Sequence, residues 1–319
     1  MTKYIIKRLL WIIPITLAVA VIIFTIMYFV PGDIAKIMLG NNASQAALEA
    51  KRAELGLDQP YIVRLGKYLY DVFLRFDFGK SLKDGTSITK ALLSRFPYTF
   101  LLAMIAMILS IIIGIPLGIA AALHNGKWQD NVSMFFALLG VSMPGFWLGL
   151  MLVLLFSVTL GWLPSSGIGG WQYFILPGIT NACMGIATQA RQTRSAVLEV
   201  VQADYVTTAR AKGVTEKGVL WKHIFPNTMI PVVTALGTGF AAQMGGTVII
   251  ENVFSIPGLG QYVVNAIGYR DYYAVQGAVI VIAITFSLII LAIDIIYAYL
   301  DPRIKAQFVK AKVVKKAHA

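Results

Sequence analysis

Cysteine is nearly absent from this 319-residue chain: Cys183 is the only one. No intrachain disulfide can form, and a metal site built on paired cysteines is excluded, so Cys183 reads as a small packing residue in an uncharged stretch. Histidine is almost as scarce. His124, His223 and His318 lie far apart beside basic residues, without metal-ligand spacing. Charge is thin too, at 13% of residues against about 25% in a soluble domain, while 58% are apolar. Water is therefore not the main solvent of this chain. What charge there is leans one way, with 27 Lys and Arg against 15 Asp and Glu, a net +12. Such an excess raises nucleic acid as a partner, but the basic residues lie outside the apolar runs, where membrane proteins carry them in their loops. No nucleic-acid partner is expected. The sequence also lacks a Gly-x-x-x-x-Gly-Lys-Ser/Thr phosphate loop and any nucleophile-and-base pair or metal-ligand cluster within an apolar run. Catalysis, ATP binding, a metal and a cofactor are thus not expected in this chain.

What is present is a series of long apolar runs. A bilayer core requires about 20 apolar residues per helix, because every backbone N–H and C=O must be satisfied within the segment. Five candidates are clear, at Leu9–Val30, Thr99–Leu123, Val132–Leu160, Met229–Ile250 and Ala274–Leu300. A sixth, Phe174–Val197, is weakened by Asn181, Gln189, Arg191 and Arg194. The first run exceeds the about 7–15 residues of a signal-peptide core and ends in Pro31-Gly32-Asp33, so it reads as a retained helix. Basic residues cluster at the N-terminus, at Lys127, between spans four and five, and throughout the tail from Arg303 to Lys316. The Gly161–Tyr173 connection has no Lys or Arg, and Glu251–Tyr273 has one. Six spans with both termini in the cytoplasm satisfy this bias; five would not. The expectation is an all-α integral membrane protein, multi-pass in the cytoplasmic membrane and in contact with its lipid. Its parts are a tail and first helix (1–30), a small external domain (31–98), a five-helix core (99–300) and a basic cytoplasmic tail (301–319). In the external domain, Tyr61, Leu65, Tyr68, Leu69, Val72 and Phe73 recur at helical spacing. That amphipathic helix suits a packed cap or a docking surface for a delivery protein.

Three constellations stand out. In span five, Gly237, Ala241 and Gly245 form one small-residue stripe, and Thr234, Thr238, Ala242 and Gly246 another. Small residues allow close helix approach in lipid, or line a watery path; Gln189, Thr234, Thr238 and Gln243 are the path candidates. At the outer end of that span, Glu251 either holds the following turn or faces the path. Ile256-Pro-Gly-Leu259 suits a type II turn with Gly258 at positive φ. Asp294 is the one acid within a span, with Arg191 and Arg194 as candidate partners. The third constellation is the loop 200–227. It reads as helix, turn, helix: Gly213 ends the first helix in the left-handed conformation, and Thr215 caps the second, whose Val219, Leu220, Ile224 and Phe225 form an apolar face. Such a hairpin fits a partner's groove or lies on lipid.

That loop resembles the coupling motif of binding-protein-dependent ABC importer permeases, Glu-Ala-Ala, three residues, Gly, nine residues, Ile, one residue, Leu-Pro. Thr207, Thr208 and Ala209 occupy the triplet, Gly213 the glycine, and His223 with Phe225-Pro226 the end. The acid, one alanine, the Ile and the Leu are replaced. Tyr4-Ile-Ile-Lys-Arg-Leu-Leu10, Val30-Pro-Gly-Asp33, Leu55-Gly-Leu-Asp-Gln-Pro60, Phe76-Asp-Phe-Gly-Lys-Ser81, Glu251–Gly260 and Asp301-Pro-Arg303 resemble the peptide and nickel branch, in particular its dipeptide and oligopeptide "B" permeases. The resemblance implies the type I importer permease fold and a peptide cargo, with nickel chelates or glutathione as alternatives. It further implies a second homologous permease subunit, two cytoplasmic ATPase subunits that bind ATP and Mg, and an external solute-binding protein. On this reading Asp204, Thr207, Thr208, Ala209, Arg210, Lys212, Gly213, Glu216 and Pro226 form the ATPase-coupling surface. A secondary transporter is the rival, but almost no ionisable residue sits at mid-span and no matching broken helices are evident.

Overall fold

The computed structural model describes residues 2–40 and 42–300. The tail expected at 301–319 lies outside the described residues, as does Asp301-Pro-Arg303. Regular structure among the described residues is helical, apart from one isolated bridge between Lys80 and Ser87. The chain divides into two compact units, one comprising residues 8–99 and 256–287, the other the segment up to Lys7, residues 100–255 and the segment from Leu288.

α1 (Thr2–Phe29) enters the first unit at Arg8 and runs uninterrupted through Pro14. Its Leu10, Trp11, Ile13, Ile22 and Ile26 are exposed while Ala20 is buried, the inverse of a soluble helix and the pattern expected when lipid is the outer solvent. Two short helices follow, α2 (Ile34–Leu39) and α3 (Gln45–Leu55), with Asp33 and Ser44 accepting from the Ala35 and Ala47 amides as N-caps. The amphipathic helix is α4 (Tyr61–Leu74). Its predicted face is the packed one: Val72, Tyr68, Leu69 and Phe73 pack with Ala20 of α1, and Tyr61 Oη lies 2.7 Å from Thr25 Oγ1. The N-terminal half of α5 (Ile88–Leu109) contributes Ile88 and Leu92 to a second core.

In the second unit, α5 continues through a π-helical turn (Ser110–Gly114) into α6 (Ile115–Leu123). The span expected at Val132–Leu160 is not one helix. α7 (Trp128–Ser142) and α8 (Gly145–Leu152), the latter extended by a π-helical stretch to Thr159, are bent by 101°. Pro144 causes the break: it lacks an N–H and drives the preceding residue out of the helical region, leaving Met143 extended at φ −80°, ψ 124°.

The weak sixth run is α9 (Ile175–Val201), 27 residues and about 40 Å long. Its low hydropathy has a packing reason. Protein surrounds much of α9, with Thr180, Asn181, Gln189 and Thr193 all buried. Glycines admit the neighbours closely: a Cβ at Gly118 of α6 would stand 2.5 Å from the Ala190 carbonyl oxygen, and one at Gly140 of α7 would stand 3.3 Å from Cys183 Sγ. Arg194 does not serve Asp294. It holds Asp130 of α7 through two hydrogen bonds, at 2.6 and 2.7 Å, and Asn125 at 2.9 Å.

Next come α10 (Asp204–Ala211), α11 (Glu216–Val219), a π-helical segment (Leu220–Ile224) and α12 (Phe225–Val253). The second hairpin helix is therefore no separate element but the first part of one helical run from Glu216 to Val253. Pro226 does not break it because it lies in the first turn of α12, where a proline costs little. In the first unit, α13 (Leu259–Gly268) and α14 (Tyr272–Leu300, which re-enters the second unit at Leu288) are the last helices among the described residues. The expected type II turn is absent. Gly258 is extended at φ −93°, and its N–H donates to the Ile256 carbonyl at 2.8 Å, closing a three-residue turn around Pro257. Positive φ falls on Ser255 instead, at 51°.

Four helical runs among the described residues are long and apolar enough to cross a bilayer: Arg8–Phe29, Ile88–Leu123, Glu216–Val253 and Tyr272–Ile296. The bent pair α7–α8 makes a fifth if it is one span.

Candidate functional site

Two features of the second unit bear on function, a cavity and the hairpin. The cavity, of about 340 Å³, lies among the end of α5, the Ser142–Gly145 break, α8, α9 and α12. Its wall holds no Asp, Glu, Lys, Arg or His. Asn181, Gly185 and Gln189 reach it from α9 at four-residue spacing, hence from one helical face. From α12 come Thr238, Ala242, Gln243 and Gly246, and Met107, Met143 and Met184 supply flexible apolar surface.

The four path candidates and Glu251 separate on this geometry. Gln189, Thr238 and Gln243 line the cavity. Thr234 is exposed outside it, and Glu251 is fully buried in the last turn of α12 away from it, so neither is a wall residue. Gln189 Nε2 donates to Thr193 Oγ1 at 3.2 Å, and Gln243 Nε2 to Ser110 Oγ at 3.0 Å. Gly185 makes room for that second bond, since a Cβ there would collide with the Gln243 amide nitrogen and approach Ser110 Oγ to 2.5 Å. Asn181 and Ser110 were missed as wall residues. Spacing could have found Asn181, two helical turns from Gln189, whereas nothing local marks Ser110. The two stripes of α12 also diverge: Gly237 packs against Ile293 of α14, whereas Gly245 meets nothing, and Thr238, Ala242 and Gly246 face the cavity.

The hairpin forms as expected at its turn. Gly213 adopts φ +79° and Thr215 Oγ1 accepts from the Gly218 N–H at 3.3 Å. Val206, Ala209, Val219 and Ile224 make its core, packed with Ala122 of α6 and Val197 of α9. Ala209 is accordingly buried, at 6% exposure, and is a core residue rather than part of a coupling surface. Asp204, Thr207, Thr208, Arg210, Lys212, Gly213, Glu216 and Pro226 are exposed, and Arg210 pairs with Glu216 at 2.9 Å. The hairpin thus presents an exposed rim on a packed base.

Residues 114–306 match the family described as "Binding-protein-dependent transport system inner membrane component", and residues 1–103 its N-terminal companion. The chain belongs to this family. It is a non-catalytic permease subunit of an ABC importer, a multi-pass inner-membrane protein whose family works with ATPase and binding-protein partners. The permease is 41% identical over 305 residues to the glutathione transport system permease protein GsiC of Salmonella choleraesuis (strain SC-B67), covering 96% of this chain and 99% of that one. It is 42% identical over 313 residues to a putative peptide transport system permease protein of Brucella abortus (strain 2308), with the same coverage. Among solved structures, a chain of the inward-facing MetNI methionine ABC transporter superposes with a TM-score of 0.56 at 20% identity, over 66% of the permease and 96% of that chain. An amino acid ABC transporter with histidines gives 0.52 at 18%. These two establish the shared fold.

Proposed function

We propose that the permease carries short peptides, glutathione among them, across the cytoplasmic membrane as one of two homologous permease subunits. Two cytoplasmic ATPases, which bind the ATP and Mg, grip the 204–227 hairpin, and an external solute-binding protein delivers cargo. The reading places six spans in the membrane, with α9 as the protein-enclosed sixth, both termini in the cytoplasm and residues 31–98 outside. The observation that carries the cargo class is full-length similarity both to a glutathione permease and to putative peptide permeases. Glutathione is itself a tripeptide, so peptide groups are the chemistry common to both. An uncharged cavity wall supports a path that releases what it passes.

Uptake by a strain carrying this importer alone tests the reading, with labelled di- to pentapeptides, glutathione and nickel competing. Mutual competition between peptides and glutathione is expected. Saturable nickel uptake that excess peptide leaves untouched would overturn the peptide assignment in favour of a nickel chelate.

A further inference from the structure

We infer that the cavity of the second unit is a binding site for an uncharged amide, in which Asn181 and Gln243 together hold one peptide group of the cargo. The inference rests on the peptide-importer reading and gives it a site. Both side chains are more than nine-tenths buried, at 7% and 8% exposure. Asn181 Nδ2 and Gln243 Oε1 nevertheless have no hydrogen-bond partner. A buried amide atom without a partner costs free energy until something pairs with it.

The orientation of Gln243 follows from its neighbour. Ser110 Oγ donates its one hydrogen to the Ala106 carbonyl at 2.8 Å, so toward Gln243 it can only accept. The amide nitrogen of Gln243 must then face Ser110, which leaves Oε1 as the free acceptor. On α9, Asn181 lies beside Gly246, where a Cβ would be 3.4 Å from Asn181 Oδ1, and Gly246 is one turn along α12 from Gln243. The free donor and the free acceptor, on two helices that meet at Gly246, together offer what a peptide group needs: its C=O would accept from Asn181 and its N–H would donate to Gln243 once side-chain movement uncovers these two atoms.

The rest of the wall selects against charge. Without a charged group in the lining, a peptide's ammonium or carboxylate terminus would be buried uncompensated there. The methionines and glycines accommodate side chains of different shape. An internal peptide group, not a terminus, is what the site takes.

Cys183 lines the same cavity, is partly exposed and is the only cysteine, so its alkylation reports occupancy without engineering. The purified full chain in lipid nanodiscs is treated with N-ethylmaleimide while N-acetyl-trialanine amide or free trialanine is titrated. The capped peptide should slow Cys183 modification saturably, with free trialanine needing about tenfold more. Asn181→Leu and Gln243→Met should each raise the half-protecting concentration about tenfold. Ser110→Ala, which frees the Gln243 amide to turn, should weaken protection as well. Gly239→Leu fills the cavity from a position where a Cβ meets nothing, and should abolish the peptide dependence in a folded chain. Absence of protection in the unaltered chain, or equal protection in folded Asn181→Leu and Gln243→Met, overturns the site. Parallel uptake by the assembled importer separates the two readings. Peptide uptake without Cys183 protection sinks the site and leaves the importer, whereas protection without peptide uptake supports the site and sinks the importer's cargo.

Discussion

Gly213 holds φ +79°, a conformation that costs a side-chain-bearing residue about 1–2 kcal/mol and a β-branched one most. Gly213→Val should leave membrane insertion intact but impair transport and binding-protein-stimulated ATP hydrolysis, while Gly213→Asn, which tolerates this region, should retain most of both. Normal stimulation of purified Gly213→Val complex would remove the hairpin from the coupling path. Gly185 is needed for a different reason, space. A methyl group there displaces the Gln243–Ser110 hydrogen bond, so Gly185→Ala should destabilise by about 1–3 kcal/mol. Gly245→Ala, on the same helix as Gln243 but with nothing within 4 Å, should not destabilise. Thermal unfolding of the two variants in one detergent decides, and equal melting points would contradict the packing described. The spacing of the small residues was visible beforehand. Which of them touched a neighbour depended on where α9 and α14 pass, and no local pattern carries that.

At the level of elements, Asp33 joins two helices, capping α2 and accepting from Arg52 of α3 at 2.5 Å. The Arg52 guanidinium holds its carboxyl below the usual carboxylate range, and the α2 amides reinforce this against the opposing effect of burial. A lowered folded pKa means stability present above the unfolded value and lost as pH falls through the folded one, so the α2–α3 junction should loosen only below about pH 4. Because the pair is exposed to water, which screens it, the effect should be small. Amide exchange of residues 34–39, corrected for intrinsic rates, should show it, and Asp33→Asn should flatten the response while keeping the cap. An unaltered acid response in Asp33→Asn would assign the loosening to other groups. The face of α4 and the cap of α11 were legible because both are local. The α7–α8 bend was half-legible: Pro144 stood in the apolar run, but an uninterrupted hydropathy signal hid the break it makes. The continuity of α11 into α12 was obscured for the opposite reason, since Pro226 reads as a stop until its place in a first turn is known.

For the whole chain, the sidedness proposed above rests on the distribution of Lys and Arg and is open to a labelling test. Cysteines at Ser44, Ser166 and Gly268, all exposed, should react with an impermeant thiol reagent from outside in a Cys183→Ala background. Thr215→Cys should react only after permeabilisation, as should Trp128→Cys, which is preferable to neighbouring Gly126 with its φ of +75°. Ala311, a third inner position, lies outside the described residues. External labelling at Thr215 would invert the hairpin. Sequence alone was enough to determine a helical membrane protein, its apolar runs, the amphipathic α4 and the left-handed Gly213, because hydropathy and turn chemistry are sums over neighbouring residues. Only the tertiary structure decided that Arg194 serves Asp130 across 64 residues, that Ser110 orients Gln243 across 133, and that Ala209 is core. Those outcomes depend on which helices the fold brings side by side, and a pairing between distant segments leaves no mark on either segment alone.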